Sequence, residues 1–340
     1  MKKILNIAKY LLFAVIGIFL FWKVYKDQPI DELLEAAKEI NYWWILLTLV
    51  IGIFSHIARA LRWEIALQSN DISARKDNLF YSVMVGYLAN YALPRMGEIT
   101  RAAVLKKYNG VSFTKGFGTI VTERIVDLII LLIFTFFIFI FQRDVITKFL
   151  LENPSVSENV KKIFSLNNIL IVSISLTVII LAYFFFITKI KPNSKILGKI
   201  KEKLTSFKVS VFSIFKLKRP LLYVLYSILI WVLYYLSFYF AFPAFKFFDE
   251  IEIGHLIAFT VYVMASYGMV APVQGGIGAY HFMVISTLII YGVGTTDARL
   301  FALVVHGSQT ILIIVTGFLS LIAMSFINKK IKNYGKTKIY

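Results

Sequence analysis

The amino-acid sequence predicts an all-α polytopic membrane protein, and three observations support that fold class. Hydrophobic residues make up 59% of the 340 residues, the mean hydropathy is +0.74, and only 16% of residues are charged. A soluble fold of this length does not have enough interior to bury so much apolar surface. The apolar residues also form blocks of roughly 20 residues, the length of a transmembrane helix, whereas transmembrane barrel strands alternate over about ten.

Apolar blocks long enough to span a membrane recur along the chain. They lie at residues 7–22, 43–60, 117–141, 168–187, 221–245 and 300–327. The first resembles a secretory signal, but no small-residue cleavage site follows Trp22, so we expect a retained helix. We expect about six to eight transmembrane helices in addition to two shorter, broken stretches. They form one membrane domain over residues 1–327, followed by a basic cytoplasmic tail at 328–340.

Two charged segments between these blocks are predicted to form surface helices. Residues 27–40 are acidic and amphipathic, and residues 189–219 are strongly basic. We interpret both as helices that lie at the membrane surface rather than as ligand sites.

The shorter apolar stretches are broken by proline and glycine. The first covers residues 79–94, and the second consists of the pair 255–271 and 277–291. Each break reads P-x-x-G, which removes a backbone donor and permits positive φ. We predict two broken or re-entrant helical hairpins, in motif regions 79–127 and 255–291, as inverted repeats would produce. Paired broken helices indicate a central site in a transporter, although an interfacial loop that needs a turn would read similarly.

We interpret the formal net charge of +18 as a consequence of membrane topology, because basic residues collect in the loops on one side. Residues 59–124 and 189–219 each hold ten Lys and Arg, and residues 328–340 hold five. These regions share one side if 79–94 re-enters instead of crossing, and the positive-inside rule makes that side cytoplasmic. We therefore expect a multi-pass protein of the cell (inner) membrane with both termini in the cytoplasm. No nucleic-acid-binding motif accompanies the charge, so we expect no nucleic-acid partner.

Ionisable residues near the first break carry the functional prediction. Glu98 and Arg101 share a helix face at i,i+3, and Glu123, Arg124 and Asp127 begin the 117–141 span. A charge near the bilayer centre costs about 2.5–3.5 kcal/mol, so these groups should face the bundle and pair. Arg124 can reach Asp127, and the remaining carboxylate needs another cation. Arg101 and Arg95 are the nearest in sequence. Helix-start electrostatics alone would account for Glu123 but not for a buried Asp127.

Three sequence runs around these positions resemble a known family. Asn90 to Arg101 reads NYALPRMGEITR, one residue tighter than the pattern NxxLPxxxGExxR. Gly118 to Asp127 reads GTIVTERIVD, and Pro272 to His281 reads PVQGGIGAYH. Together they resemble the flippase-like family that is similar to the transmembrane region of lysylphosphatidylglycerol synthases, over about residues 7–327. The resemblance implies a membrane protein that moves aminoacylated or glycosylated lipids between leaflets. The synthase relatives carry a further soluble transferase domain. Because this chain stops 13 residues after its last predicted span, we expect that domain and its activity to be absent.

The candidate substrate-binding and translocation residues combine these motifs. They are Asn90, Pro94, Arg95, Gly97, Glu98, Arg101, Glu123, Arg124, Asp127, Pro272, Gln274, Gly275, Gly276, Gly278 and His281. The arginines would hold a phosphate, and the carboxylates would balance them or bind an ammonium group. Free backbone amides at the glycines of the two breaks would suit an anion.

Other chemistries receive little support from the sequence. The chain has no cysteine, its four histidines lack metal-site spacing, and GxxxxGK[ST] is absent, so we expect no metal, cofactor or ATP use. His281 and His306 are either proton relays or hydrogen-bonded structural residues. We predict a membrane lipid translocase without enzymatic activity, acting on a phospholipid or lipid-linked head group. An intramembrane enzyme and a non-transporting scaffold in envelope biogenesis stay open as alternatives. A second copy of the chain and a separate envelope-biosynthesis enzyme stay open as partners.

Overall fold

A computed structural model gives the fold as a helical bundle. It describes residues 37–163, 195–249, 251 and 253–337, with Trp22, Glu35 and scattered positions between 165 and 185. The predicted first span (7–22), most of the predicted surface helix at 27–40 and most of the predicted span at 168–187 lie outside the described residues. Within the described residues there is no β-strand.

The described chain forms eleven α-helices. They are α1 (Tyr42–Gln68), α2 (Lys76–Ala92), α3 (Met96–Asn109), α4 (Phe113–Phe141), α5 (Arg143–Glu152), α6 (Pro154–Ile163), α7 (Lys195–Phe212), α8 (Pro220–Tyr239), α9 (His255–Val270), α10 (Ala279–Ile290) and α11 (Thr295–Thr337). Short 3-10 turns occur at Ser213–Lys216, Phe242–Ala244, Lys246–Phe248 and Gln274–Gly276. Among these helices, α1, α4, α8 and α11 are long and apolar enough to cross a membrane, and α9 and α10 are shorter apolar helices. The predicted all-α membrane fold is confirmed.

One end of the bundle, here called the first end, gathers the loops next to the C-terminus of α1. Lys218 lies 2.8 Å from Asp71, and this hydrogen bond lowers the pKa of the Asp71 carboxyl. Asn78 at the start of α2 donates to Asn328 of α11 at 3.1 Å and to Asn109 at the end of α3 at 3.4 Å. The start of α2, the end of α3 and the far part of α11 therefore lie together.

The opposite, second end gathers the other termini of the long helices. The N–H of Asn41, before α1, donates to the carbonyl of Ala244, after α8, at 2.9 Å. The hydroxyl of Tyr291, after α10, donates to Gln142, after α4, at 3.1 Å. The helices α1, α4, α8 and α11 thus run between two defined ends.

Hairpin 1 consists of α2 and α3, which both meet the first end. The residue before a proline is driven out of the helical region, and Leu93 before Pro94 is extended, with φ −146° and ψ 126°. Arg95 then takes the left-handed conformation with φ 61°, and α3 starts at the next residue. The helices return close together, since a Cβ on Gly97 would lie 2.6 Å from the carbonyl oxygen of Gly86. The chain therefore enters and leaves hairpin 1 at one end, as predicted.

Hairpin 2 consists of α9 and α10, and its open end lies at the second end. Ala271 precedes Pro272 and is also non-helical, with ψ 144°. Gly275 then turns the chain with φ 56° before α10 begins. The two hairpins therefore enter the bundle from opposite ends, each broken by the same proline device.

Several predicted boundaries change, for identifiable physical reasons. The predicted span 43–60 continues as helix to Gln68, because Arg59 and Arg62 are buried in the bundle and do not mark an aqueous boundary. The predicted span 221–245 ends as α-helix at Tyr239 and continues as 3-10 turns. The last span continues as helix to Thr337, through most of the predicted tail.

The apolar core has two parts, one toward each end. Near the first end it surrounds Trp63 and includes Ile120 of α4 and Tyr223 of α8. Near the second end it is rich in phenylalanine and includes Leu131 of α4 and Trp231 of α8. The segments of α4 and α8 between these positions face a different, charged environment.

Candidate functional site

Seven charged side chains meet between the two apolar cores and form what we call the arginine–carboxylate cluster. Its members are Arg59, Arg62, Glu98, Arg101, Glu123, Arg124 and Asp127. They come from α1, α3 and α4, so the cluster depends on the tertiary packing of three helices.

Asp127 is the carboxylate with the most partners. Arg59 and Arg62 each place Nη1 2.8 Å from one of its two oxygens, and Arg124 adds a longer contact of 3.6 Å. Arg59 also donates from Nε to the hydroxyl of Tyr234 at 3.3 Å. Two close guanidinium groups thus supply charge-assisted hydrogen bonds to one carboxylate in the interior of the bundle.

Glu123 organises the most buried part of the cluster. Arg101 donates from Nη2 to Glu123 at 2.8 Å, and Nε of Arg62 lies 3.5 Å from the other carboxylate oxygen. The guanidinium of Arg101 stacks over the ring of Trp63 at 4.2 Å, and the Trp63 indole N–H donates to Thr119 at 3.0 Å. The stacking fixes the plane of the Arg101 guanidinium.

Glu98 and Arg124 form the more accessible edge of the cluster. Arg124 donates from Nε to Glu98 at 2.8 Å, and their side chains are 36% and 17% exposed, respectively. The side chains of Arg62 and Glu123 are 0% exposed. Access to the buried arginines is therefore shortest from the Arg124–Glu98 pair.

The cluster carries more cationic donors than its carboxylates use. Four arginines face three carboxylates, a formal surplus of one positive charge. Within the described residues, Nη2 of Arg62 and both Nε and Nη1 of Arg101 are buried without a hydrogen-bond partner. Buried donors without partners are costly, so this arrangement is suited to an additional anionic group.

The tips of the two hairpins touch each other beside this cluster. Arg95 donates from Nη2 to the carbonyl of Val270, and Gln274 donates to the carbonyl of Ala92 at 3.4 Å. A Cβ on Gly275 would overlap the ring of Tyr91. The hairpin arms have 12 to 17 residues, which is about 18–26 Å at 1.5 Å per residue, so the tips meet inside the bundle.

The histidines near the second break act as structural partners in this geometry. Nε2 of His306 lies 2.8 Å from the carbonyl of Gly275, and Nδ1 of His281 lies 3.3 Å from the N–H of Gly278. The two imidazole rings are 4.8 Å apart. Both side chains thus hold the irregular backbone of hairpin 2.

The structure brings most predicted site residues together but changes several pairings. Arg101 pairs with Glu123, one of the predicted solutions, whereas Arg95 is exposed at the hairpin tip and bonds to the Val270 carbonyl instead. Pro94 is buried and Pro272 is exposed in the two breaks. Gly276 is buried beside Met269 of α9.

Two backbone amides expected to be free for an anion already have acceptors. The N–H of Gly97 donates to the side-chain oxygen of Asn90 at 2.7 Å. The N–H of Gly278 faces His281. The Asn90 side chain thus accepts a hydrogen bond from a backbone amide in the first turn of α3. The prediction that the amides of Gly97 and Gly278 stay free for an anion is wrong.

Sequence reasoning missed Arg59 and Arg62 as site residues. They appeared to mark the end of a span, yet α1 continues to Gln68 and both side chains are almost completely buried. Their i,i+3 spacing was the available signal, because two cations on one face of an apolar helix need a counter-ion.

Within the described residues, the main surface groove does not include the arginine–carboxylate cluster. A groove of about 400 Å³ lies at the first end between α4 and α7, and its lining includes Lys115, Glu202 and Ser206 but no cluster residue. Within the described residues, no group of three His, Asp or Glu side chains is placed to hold a metal ion. The cluster is therefore a closed arrangement of ion pairs.

Residues 6–317 match the family described as "Lysylphosphatidylglycerol synthase TM region", which is most of the chain. The chain belongs to this family. The matched residues include both hairpins and the whole cluster of this lysylphosphatidylglycerol synthase TM region protein. No solved structure was found to match it.

Two relatives of this family member extend the similarity. The UPF0104 membrane protein PH1989 of Pyrococcus horikoshii is 24% identical over 314 residues, which cover 85% of this chain and 89% of that protein. The UPF0104 membrane protein MJ1595 of Methanocaldococcus jannaschii is 26% identical over 137 residues, which cover 39% of this chain and 41% of that protein. These relatives support a multi-pass membrane protein of this family.

Proposed function

We propose that this protein is a membrane lipid translocase that moves a phospholipid or lipid-linked polar head group between leaflets without changing its chemistry. The observation that carries the proposal is the buried arginine–carboxylate cluster beside the meeting point of two oppositely oriented broken hairpins. Charged side chains inside a membrane protein are expensive and mark substrate or ion pathways. Broken hairpins that meet inside the bundle are the arrangement that transporters use for a central site.

The charge balance of the cluster favours an anionic part of the lipid as the bound group. Both oxygens of Asp127 already accept arginine N–H groups, and Glu123 and Glu98 each pair with an arginine. Within the described residues, the carboxylate oxygen of Glu123 that lies 3.5 Å from Nε of Arg62 is buried without a hydrogen-bond partner. At the other paired carboxylate oxygens an ammonium group would have to displace a guanidinium. A phosphodiester would instead find the unused N–H groups of Arg62 and Arg101, in the geometry that guanidinium prefers.

Binding requires the cluster to open, since its arginines are buried. We propose that separation of Glu98 from Arg124 admits the phosphate, because this pair is the most exposed part of the cluster. Arg95 at the tip of hairpin 1 is exposed and strained in the left-handed region. Strained backbone of this kind concentrates at ligand clamps and switch regions, and we propose that Arg95 receives the head group first.

The orientation is proposed from the position of the basic residues. The first end holds the loops around Asp71 and Lys218 and the far part of α11. Basic residues at the start of α2 (Arg75, Lys76) and at the end of α3 (Lys106, Lys107) also lie there. The positive-inside rule then places the first end and both termini in the cytoplasm, with the protein in the cell membrane.

Leaflet-resolved transport in proteoliposomes tests the proposal. The purified chain is reconstituted with a phospholipid whose head group is labelled and accessible to a quencher from outside only. We expect the protein to transfer label between leaflets faster than empty liposomes, and Arg124→Gln to slow that transfer. Arg75→Gln is the matched control, because Arg75 pairs with Asp77 outside the cluster. No difference between protein and empty liposomes for any phospholipid or lipid-linked head group tested would overturn it.

The two alternatives predict different results with the same protein. An intramembrane enzyme would use a cluster carboxylate as a base and an arginine as a phosphate clamp, and would convert its lipid in detergent micelles, where no leaflets exist. A scaffold, acting with a separate envelope-biosynthesis enzyme, would transport no lipid in proteoliposomes, and Arg124→Gln would leave growth unchanged. A translocase gives no product in micelles.

A further inference from the structure

A row of small and polar residues continues from the cluster along the buried face of α1. We call it the polar seam. On α1 it consists of Thr48, Gly52, Ser55 and His56, which are all buried and precede Arg59 at helical spacing. The opposite face of α1 exposes large apolar side chains such as Trp43, Val50 and Phe54. Helix α1 therefore has one lipid-like face and one polar face.

Two other helices complete the seam with polar side chains. The hydroxyl of Ser237 on α8 donates to the carbonyl of Thr48 at 2.9 Å. The amide of Gln309 on α11 donates to the Ser237 hydroxyl at 3.2 Å. A Cβ on Gly52 would lie 3.1 Å from the Gln309 side-chain oxygen, so glycine leaves the room that this amide occupies. Three helices, α1, α8 and α11, therefore form the seam around the side chain of Gln309.

The seam is continuous with both parts of the candidate site. From Thr48 to Arg62 it covers about 21 Å along α1, against a hydrocarbon thickness of about 30 Å. Thr310, next to Gln309, bonds to Tyr91 of hairpin 1 at 3.1 Å. The seam therefore passes the hairpin tips on its way from the cluster toward the second end.

A second observation is that the hydroxyls of Thr48 and Ser55 bond within α1, whereas one imidazole nitrogen of the seam lacks a partner among the described residues. His56 is 5% exposed, and within the described part of the chain its Nε2 has no hydrogen-bond partner. Its ring packs against Tyr87 at 4.9 Å, and the Tyr87 hydroxyl lies 3.1 Å from that of Tyr234, which also accepts from Arg59. Packing between membrane helices needs small residues but no unpaired imidazole. The unpaired nitrogen lies in the part of the seam next to the cluster, where a polar group that leaves the arginines would meet it.

We propose that the polar seam is the route of the lipid head group between the cluster and the second end, with Gln309 and Ser237 as its hydrogen-bonding side chains midway. This inference rests on the proposed translocase function. A phosphodiester that leaves the arginines must keep partners inside the hydrocarbon layer. The seam offers amide, hydroxyl and imidazole groups in succession, while the lipid tails stay outside the bundle.

Transport assays on seam variants test this route without disturbing the cluster. Gln309→Leu removes the amide at similar volume, and Gly52→Ala crowds it while improving helix propensity. Thr316→Val is the matched control on α11, because the Thr316 hydroxyl bonds to the carbonyl of Leu312 in its own helix. We expect both seam variants to slow transport about tenfold, the effect of roughly one lost hydrogen bond on the transit barrier. Folded Gln309→Leu and Gly52→Ala proteins that transport at the wild-type rate would overturn the route and leave the translocase proposal standing.

The natural absence of cysteine allows a second measurement on the same route. Ser237→Cys and Ser55→Cys are single, nearly isosteric changes, and Leu47→Cys on the exposed face of α1 is the control. A charged, membrane-impermeant thiol reagent should label both seam cysteines during transport and leave position 47 unlabelled. Labelling at position 47 alone, or at none of the three, would contradict the route even if one of the transport variants had failed to fold. A wild-type protein without transport would instead overturn the proposed function and this inference together.

Discussion

Arg62 and Asp127 lie 2.8 Å apart, Nη1 to Oδ1, although 65 positions separate them in the sequence. Both side chains are buried between two apolar cores, and Nε of the same arginine lies 3.5 Å from Glu123. One guanidinium thus links two acids that stand four residues apart on α4 and would otherwise repel each other. The contact explains how a helix of a membrane bundle holds two carboxylates in its interior.

Replacement of Asp127 by Asn should destabilise the protein strongly. Arg59 and Arg62 would lose their shared counter-ion inside the bundle. Removing one partner of a buried pair costs about 3–5 kcal/mol. Thermal unfolding of the purified protein in detergent measures the loss. Glu98→Gln, in the partly exposed pair, should cost less than about 1 kcal/mol. Equal unfolding temperatures for Asp127→Asn and Glu98→Gln would contradict the burial argument.

Much of the fold follows from the sequence because hydrophobic length and proline are strong local signals. The prolines at 94 and 272 force the preceding residue out of the helix wherever it lies, so both hairpin breaks could be located. The basic residues at the start of α2, at the end of α3 and before α8 share the first end, which is the end from which hairpin 1 enters. The span lengths and hairpin breaks depend on residues that are neighbours in the sequence, and the orientation depends on the number of basic residues in each loop.

The pairing inside the site could not be predicted in the same way. Asp127 is four residues from Glu123 and three from Arg124, but the packing of α1 against α4 decides that Arg59 and Arg62 hold it. Local spacing therefore pointed to Arg124, which lies 3.6 Å from Asp127, and could not show that Arg59 and Arg62 are the closer partners. The same limit applies to Gly97, whose amide meets Asn90 only after α2 and α3 have folded back.

The contact between the hairpin tips should depend on Gly275. Its φ of 56° disfavours a Cβ by about 1–2 kcal/mol, and the added methyl would also overlap Tyr91. Gly110→Ala is the matched control, because φ is 67° there and nothing lies within 4 Å of the added methyl. We expect Gly275→Ala to lower the unfolding temperature more than Gly110→Ala. Equal decreases in unfolding temperature for the two variants would show that Gly275 and Tyr91 are not in close contact.

Restricting the hairpin tips should stop transport reversibly. The side chain of Gln274 reaches the carbonyl of Ala92, so cysteines at these two positions should accept a short reducible cross-linker. We expect transport to fall when the linker is added and to recover when a reductant cleaves it. Ala92→Cys alone should be unaffected by the linker. A cross-linked double variant with unchanged transport would show that the tips need not separate.

Thiol labelling of intact cells should reveal the proposed orientation. Lys203 lies on α7 near the first end, and Asp144 lies at the start of α5 near the second end. Each residue is replaced by cysteine in a separate variant. An impermeant reagent should reach position 144 from outside and reach position 203 only after the cells are opened. The reverse pattern would invert the orientation while leaving the fold unchanged.

The most direct measurement compares folding and transport in the charge-neutral double variant Arg101→Gln, Glu123→Gln. Replacing both partners of a buried pair removes two desolvated charges together, so stability should stay close to that of the wild type. Transport of a phospholipid in proteoliposomes should fall by at least about tenfold, because the Arg101 N–H groups available to a phosphate are gone. A double variant that folds like the wild type and also transports like it would contradict the claim that the buried charges serve the substrate.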